Sequence, residues 1–353
     1  MSWRVGLIGT GAFAAEHARA LRALGDRVQI VGAASPDPVQ GEAFCREHRI
    51  PAWFPSAAAL LDALHPDLVH ICTPPATHAP LARAALEAGA HVLCEKPLCA
   101  SLAELDALEA VEAASGRTLS TVFQWRFGAA AQHVKRLIAA GELGALRAAV
   151  CHTLWYRGAD YYAVPWRARL AESLGGTIMG HGIHLIDLLL WLAPDWYDVF
   201  ARLTTLDRAI EVDNLAAALV SFEGGGLASL MSSALSPRQE TYLRLDFQRA
   251  TVEVSALYEY DSANWRITPL DRADEGRWNV QVQGPNTIQA QAAALLDSLE
   301  RGERPPVSGP EGRRIIEFMT ALHRSAALHQ PVRRGTIGPD DPFYQDMHAA
   351  QPR

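Results

Sequence analysis

Residues 3–14 read WRVGLIGTGAFA. The first seven form a short apolar run of the kind a buried parallel strand needs. The run ends in G-x-G-x-x-A. Gly9 permits a tight turn, Gly11 lets the backbone approach a pyrophosphate, and Ala14 lets a helix pack closely on the strand. A helix opening at Ala12 offers unpaired N–H groups and the positive end of its dipole to an anion. Thr10, Ala12 and Phe13 share that turn. The motif alone is a weak signal. Here it follows a strand, opens a helix and begins a β/α series, so it reads as a dinucleotide site rather than a plain βα turn.

The series continues outward. Residues 12–24 suit a helix with Phe13, Ala20, Leu21 and Leu24 inward and Gly25 as its stop. Strands are expected at 27–33, 68–72, 91–94 and 118–123, and helices at 38–48, 56–64, 76–88 and 101–115. Strands joined by helical crossovers give a parallel sheet with helices on both faces. The strand at 27–33 leads into AASPDP (33–38). A carboxylate at that tip usually holds the ribose hydroxyls and repels a 2′-phosphate. The tip here is Ser35, with Asp37 two residues on, so NAD and NADP both stay open.

Two loops leave strand C-termini, where open α/β sheets bind ligands. They are CTPPATH (72–78) and CEKPL (94–98). Thr73, Pro74 and His78 of the first, and Glu95, Lys96 and Pro97 of the second, are the expected cofactor contacts. The Lys96 ammonium can hydrogen-bond a substrate hydroxyl or carbonyl. Beside an oxidised nicotinamide its pKa should fall, which suits proton exchange. Gln124 and Trp125 follow the strand at 118–123 and should face the same cleft, with Gln124 counted among the cofactor contacts.

At 353 residues the chain is too long for one ordinary core. A first domain is expected over 1–123 and a second over 124–353. Acidic residues outnumber basic ones 39 to 32, and no Lys/Arg run marks a nucleic-acid or membrane surface. Apolar stretches such as LIDLLLWLA are too short to span a bilayer. A small molecule and further copies of the chain are the expected partners. The five cysteines form no C-x-x-C pair, and the N-terminus has no signal-peptide pattern. Both point to the cytoplasm.

After Phe123 the rhythm changes. A helix is expected at 129–140 and a long strand at 146–156. Residues 212–235 read as two strands joined at Gly224–Gly226, with further strands at 241–247 and 250–258. Long strands with short turns give a mostly antiparallel sheet, packed on one face by a helix containing 184–192. Helices near 285–301 and 311–328 should return to the first domain or its edge. Apolar residues on both faces of the strands predict sheet-to-sheet self-association as a dimer or tetramer.

The segments GTGAFA, CTPPATHAPLARAALEAGAHVLCEKPL (72–98) and GGTIMGHGIHLID (175–187) together resemble the Gfo/Idh/MocA oxidoreductases, named for glucose–fructose oxidoreductase and inositol dehydrogenase. The resemblance spans nearly the whole chain, and the EKP segment is its most specific part. It implies a Rossmann domain followed by an α/β domain with a large open sheet. It implies hydride transfer between NAD(P) and a sugar, polyol or related carbonyl compound. It also matches Lys96 to the family's catalytic lysine. A redox-neutral NAD-dependent glycoside hydrolase and a non-catalytic NAD(P)-binding protein are the rival readings.

MGHGIHLID (179–187) carries His181, His184 and Asp187 at i, i+3 and i+6, within about 120° of one helix face. A metal is disfavoured, because zinc helices use an i, i+4 histidine pair. Imidazole suits removal of a hydroxyl proton near neutrality. By resemblance His184 matches the catalytic histidine and Asp187 its supporting residue. His181 stays open between a structural and a proton-handling role. The family places an acid four residues before the histidine, where this chain has Gly180. Trp155, Tyr156, Tyr161, Tyr162 and Trp166 crowd twelve residues, and aromatic faces suit sugar C–H faces. Tyr156, Tyr162, Trp166, Arg126 and Arg167 are the expected substrate contacts. By resemblance Trp166 and Arg167 also meet the cofactor.

Overall fold

The computed structural model describes residues 2–256, 258, 260–280, 282, 284 and 287–349. The expected strand at 250–258 and helix near 285–301 therefore lie partly outside the described residues. The chain forms two compact units. Unit 1 is Met1–Val122 with Ile288–Ile316, and unit 2 is Phe123–Thr287 with Glu317–Arg353.

Unit 1 holds a six-stranded, all-parallel sheet. Its strands are β1 (Trp3–Ile8), β2 (Val28–Ala34), β3 (Trp53–Phe54), β4 (Leu68–Ile71), β5 (His91–Cys94) and β6 (Leu119–Thr121), in the order β3-β2-β1-β4-β5-β6. The order reverses between β1 and β4, the place where such sheets bind ligands. Helices Pro38–Glu47, Ala57–Leu64 and Leu102–Ser115 start at Asp37, Ser56 and Ser101. Each of these side chains accepts a first-turn N–H, which satisfies a donor the helix cannot.

Three details correct the expectations. β3 is a two-residue edge strand, too short for a period to show. The first helix, Ala12–Arg22, turns Ala14, Ala18 and Leu21 to the sheet at i, i+4 and i+7, leaving Phe13 42% exposed rather than inward. Ile288–Ile316 belongs with unit 1, outside the 1–123 boundary. Leu295 and Leu296, from helix Thr287–Glu300, complete the core around Val5, Leu7, Leu68 and Leu93. Each fully buried Leu there stabilises the fold by roughly 1.5–3 kcal/mol relative to exposure.

Unit 2 holds an eight-stranded sheet. Its strands are β7 (Leu146–Tyr156), β8 (Trp196–Thr204), β9 (Leu215–Phe222), β10 (Leu227–Ser233), β11 (Leu235–Phe247), β12 (Ala250–Ala256), β13 (Trp265–Pro269) and β14 (Val332–Arg333). The order is β13-β12-β11-β7-β10-β9-β8-β14, and only β7 and β10 pair in parallel. Residues 212–214 precede β9 instead of opening it. β8 and β13 were not expected from the sequence. Helix Ile183–Leu192 (IHLIDLLLWL) packs on β7 and β11. It is apolar nearly all round and buried nearly all round, as such a helix must be. Among the described residues no helix is long and apolar enough to cross a membrane.

Candidate active site

The candidate residues of unit 1 are held mainly by backbone. Gly9 has φ +105°, and a Cβ there would stand 2.5 Å from the Cys72 carbonyl oxygen. The turn thus requires glycine twice over, by conformation and by the close approach of the chain leaving β4. A Cβ on Gly11 would meet nothing within 4 Å. Gly11 caps Ala12–Arg22 with no side-chain bond, and no acidic residue stands in the first turn. An open cradle in front of uncapped N–H groups fits a dinucleotide pyrophosphate. Thr10 is buried, and its carbonyl accepts from Gln40 Nε2 at 3.3 Å.

The strand tip is occupied by its neighbours. Trp53 Nε1 donates to the Ser35 carbonyl and hydroxyl oxygens at 3.2 Å, and Ser35 Oγ donates to the Asp37 carbonyl. The Asp37 carboxylate accepts from Val39 and Gln40 N–H. Neither side chain stands uncommitted at the tip.

The two loops after β4 and β5 are tied together by His78. Its Nδ1 lies 2.7 Å from the Pro97 carbonyl and its Nε2 2.8 Å from the Thr73 carbonyl. Both contacts donate only in the protonated ring, and burial opposes that charge, pushing the His78 pKa down. Pro74 caps the short turn Pro75–Thr77 that leads into helix His78–Glu87. Lys96 is partly exposed, and burial of its ammonium lowers its pKa against the opposing pull of Glu95. Glu95 Oε2 accepts the Lys96 backbone N–H at 3.2 Å, while Oε1 lies 3.0 Å from His17 Nε2. His17 Nδ1 in turn lies 2.9 Å from His70 Nδ1. Glu95, expected from its motif to meet the cofactor, is 6% exposed and turned to His17, and neither His17 nor His70 carried a motif that marked it in the sequence.

In unit 2 the motif MGHGIHLID is one helical run. Ile178–Gly182 is a π-turn that runs on through Gly182, in helical conformation, into Ile183–Leu192. The run is anchored by Asp213, a residue missed in the sequence. Its carboxylate accepts from Gly176 and Ile178 N–H at 2.9 and 3.2 Å, and its carbonyl accepts from Thr177 N–H. A Cβ on Gly176 would overlap the Asp213 backbone at 1.8 Å. Burial raises the Asp213 pKa to about 6 against these backbone bonds.

The two histidines part company on this run. His184 lies between Phe123 and Trp125, whose ring centroids are 6.1 and 5.7 Å away, the Trp125 ring stacked. His181 faces Trp155 and Tyr161, at 5.0 and 5.4 Å, and accepts from Arg157 Nε at 3.4 Å. Asp187 is 1% exposed and accepts Arg126 Nε at 2.6 Å and a second Arg126 N–H at 2.5 Å. The two residues expected to serve His184 and the substrate are thus joined in a buried bidentate pair, because a buried guanidinium needs its own counter-charge. Gln124 is 5% exposed, with a buried Oε1 that meets no donor within unit 2. Tyr156, Tyr162, Trp166 and Arg167 come together with Arg157 and Arg208 around Tyr161. A Cβ on Gly180 would meet nothing within 4 Å. Among the described residues no three His, Cys, Asp or Glu side chains are grouped to hold a metal ion.

Residues 3–123 match the model of the oxidoreductase family with an NAD-binding Rossmann fold. Residues 131–256 match the GFO/IDH/MocA C-terminal domain. A 1,5-anhydro-D-fructose reductase of Ensifer adhaerens is 33% identical over 334 residues, 93% of this chain and 97% of its own. A D-xylose 1-dehydrogenase (NADP(+)) of Haloferax volcanii is 29% identical over 83% of this chain and 88% of its own. The crystal structure of the WlbA dehydrogenase from Bordetella pertussis, in complex with NADH and UDP-GlcNAcA, superposes with a TM-score of 0.85. It is 24% identical and covers 96% of this chain and all of that one, a likeness of fold. The chain belongs to the Gfo/Idh/MocA family of NAD(P)-dependent oxidoreductases.

Proposed function

We propose that this member of the family moves hydride between NAD(P) and a sugar, polyol or sugar-derived carbonyl compound. The observation that carries the substrate class is the ring of Tyr156, Tyr161, Tyr162 and Trp166 around guanidinium groups in unit 2. Aromatic faces take sugar C–H faces, and phenols and guanidinium forks take hydroxyls. The relatives named for D-xylose and 1,5-anhydro-D-fructose support it.

The Gly9–Gly11 turn, Thr73, Pro74, Pro97, Gln124 and Trp166 are the groups proposed to hold the cofactor. Bound NAD(P) supplies the hydride acceptor or donor. Lys96 holds the reacting oxygen by a hydrogen bond from Nζ, and its lowered pKa eases proton exchange there. His184 takes or returns the hydroxyl proton. Asp187 positions the helix by closing the charge of Arg126.

Titration of tryptophan fluorescence with NADH and with NADPH tests the cofactor assignment, and a polyol and aldose panel with the bound coenzyme tests the chemistry. Lys96→Ala should bind coenzyme as the wild type does and lose roughly 10²–10⁴-fold in turnover. Full turnover in that variant would remove Lys96 from the mechanism. Product formation without net coenzyme reduction would move the reaction to the redox-neutral class.

The oligomer is part of the same proposal. Leu219, Leu227 and Met231 are 63, 59 and 38% exposed on one face of β9 and β10. That face continues over Val150 and His152 of β7. Its burial between copies predicts a dimer or tetramer. A monomer mass by light scattering at micromolar concentration would refute it.

A further inference from the structure

Three guanidinium groups of unit 2 gather on the aromatic cluster without a counter-ion. Arg157 Cζ lies 4.6 Å from the Trp155 ring centroid and 5.4 Å from that of Tyr161. Arg167 Cζ lies 4.3 Å from the same Tyr161 centroid. Arg208 Cζ lies 5.6 Å from Tyr162 and 5.8 Å from Tyr156. Tyr161 and Tyr162 are themselves only 5.0 Å apart. Like charges brought together repel, and burial raises the penalty. Burial, with the Arg167 charge adding to it, pushes the Arg157 pKa below its ordinary value.

Every hydrogen bond these three arginines make is to a neutral acceptor. Arg157 donates to the Tyr156 carbonyl, to Gln239 Oε1 and to His181. Arg167 donates to the Tyr161 carbonyl. Arg208 Nε is buried with no acceptor at all. Asp160 and Asp207, neighbours of the cluster in the chain, are exposed and pair with none of the three, and other acids are committed elsewhere. Asp213 serves Gly176 and Ile178, Glu211 serves the Leu170 N–H, and Glu172 pairs with Arg169. Among the described residues none of the three arginines is ion-paired. Chains neutralise a helix-side guanidinium where they can, as Arg126 and Asp187 show in the same unit.

We propose that this cluster is an anion subsite, and that the substrate is a sugar derivative carrying a carboxylate or a phosphate. Arg157 and Arg208 hold the anionic group, and Arg167 closes the cluster. Guanidinium forks match both oxyanions, and the flanking rings take the sugar face. The subsite reaches the reactive run directly, because Arg157 bonds His181, three residues before His184 on one helical run. This inference rests on the proposed function and narrows it from neutral polyols to acidic sugars.

The test uses the full chain and three probes: D-glucose, D-glucuronate and D-glucose 6-phosphate, followed by tryptophan fluorescence at low salt. One anionic probe should bind about ten- to a hundredfold more tightly than glucose, the range of a charged hydrogen bond. The arm with the larger preference identifies carboxylate or phosphate. The preference should shrink as sodium chloride is raised, and should fall to about threefold or less in an Arg157→Gln, Arg208→Gln double variant. NADH affinity should be unchanged in that variant, which also shows that it is folded. Glucose binding as well as its anionic partners, or no anionic probe binding at all, overturns the proposal. So does a preference that survives the double substitution. A loss of NADH affinity in the variant would assign the arginines to the coenzyme's own phosphates and overturn it too. Failure of the wild type to bind NADH or NADPH would instead sink the proposed function, and the comparison of probes would still read the subsite.

Discussion

Lys96 in unit 1 and His184 in unit 2 are held in contrasting ways. Beside Lys96, the Glu95 carboxylate ends a buried string of polar rings, His17 and then His70. Around His184 stand the rings of Phe123 and Trp125, and the charges one turn along, Arg126 and Asp187, close on each other. Unit 1 keeps its charge in a chain of titratable groups. Beside His184, unit 2 keeps its charge in a closed bidentate ion pair. The first arrangement can respond to pH, and the second supplies a fixed frame.

The largest effect expected from this contrast is on stability in unit 2. Asp187→Ala removes the bidentate carboxylate from Arg126, which is 4% exposed, and breaking such a buried pair should cost about 3–5 kcal/mol. An Arg126→Met, Asp187→Leu double variant should recover most of that loss, since an apolar pair of similar volume is often neutral. Urea unfolding of the two variants measures both. A loss below about 1 kcal/mol for Asp187→Ala would mean that the pair is solvated and frames nothing.

Titration should separate two histidine pairs in the same manner. In unit 1, burial pulls His17 down, but Cys72 and Glu95 outweigh it and raise the ring to about 10. In unit 2, His323 and His348 stack at 4.4 Å, and both His323 nitrogens are buried without a hydrogen-bond partner. Burial, with the His348 charge adding to it, holds His323 well below 6.5. The signs are opposite. Stability from His17 is fully present below pH 6.5, its unfolded value, and is lost as the pH rises through 10. With His323 the unfolded chain takes a proton that the fold refuses, so stability falls as the pH drops below 6.5, by about 1.4 kcal/mol per pH unit. His323→Leu should therefore keep or raise stability at pH 7 and flatten the acid slope. Glu95→Gln should lower stability at pH 7 and flatten the alkaline one. Equal acid slopes in wild type and His323→Leu would show that this ring is hydrated in the fold.

The same contrast explains what the sequence could convey. The unit 1 turn is written in contiguous residues, because glycine geometry and strand ends act over a few positions. Gly9, Gly11 and the 94–98 loop could be read directly for that reason. The unit 2 arrangement depends on partners far apart in the chain. Arg126 meets Asp187 across 61 residues, and Asp213 anchors Gly176 from 37 residues away. No local period announces such bonds, so Arg126 read as a substrate contact with no sign of Asp187, and VDN at 212–214 read as the start of a strand. Arg208 escaped for the same reason, since only folding brings it to Tyr156 and Tyr162.

The smallest expected change in stability sharpens the reading of unit 1 most. Gly9 and Gly11 stand two residues apart and serve different masters. Gly9→Ala forces a Cβ to within 2.5 Å of the Cys72 carbonyl at φ +105°, and should cost more than about 2 kcal/mol whatever the ligand. Gly11→Ala meets open space at φ −85°, a conformation alanine accepts, so its stability should change by less than about 1 kcal/mol. Its Cβ would still enter the space in front of the helix N-terminus, where the pyrophosphate must approach the backbone. NADH and NADPH affinity should therefore drop by tenfold or more, about 1.4 kcal/mol, in a protein that unfolds like the wild type. An affinity that survives Gly11→Ala would place the pyrophosphate elsewhere and leave the turn a purely structural one, held by Gly9 alone.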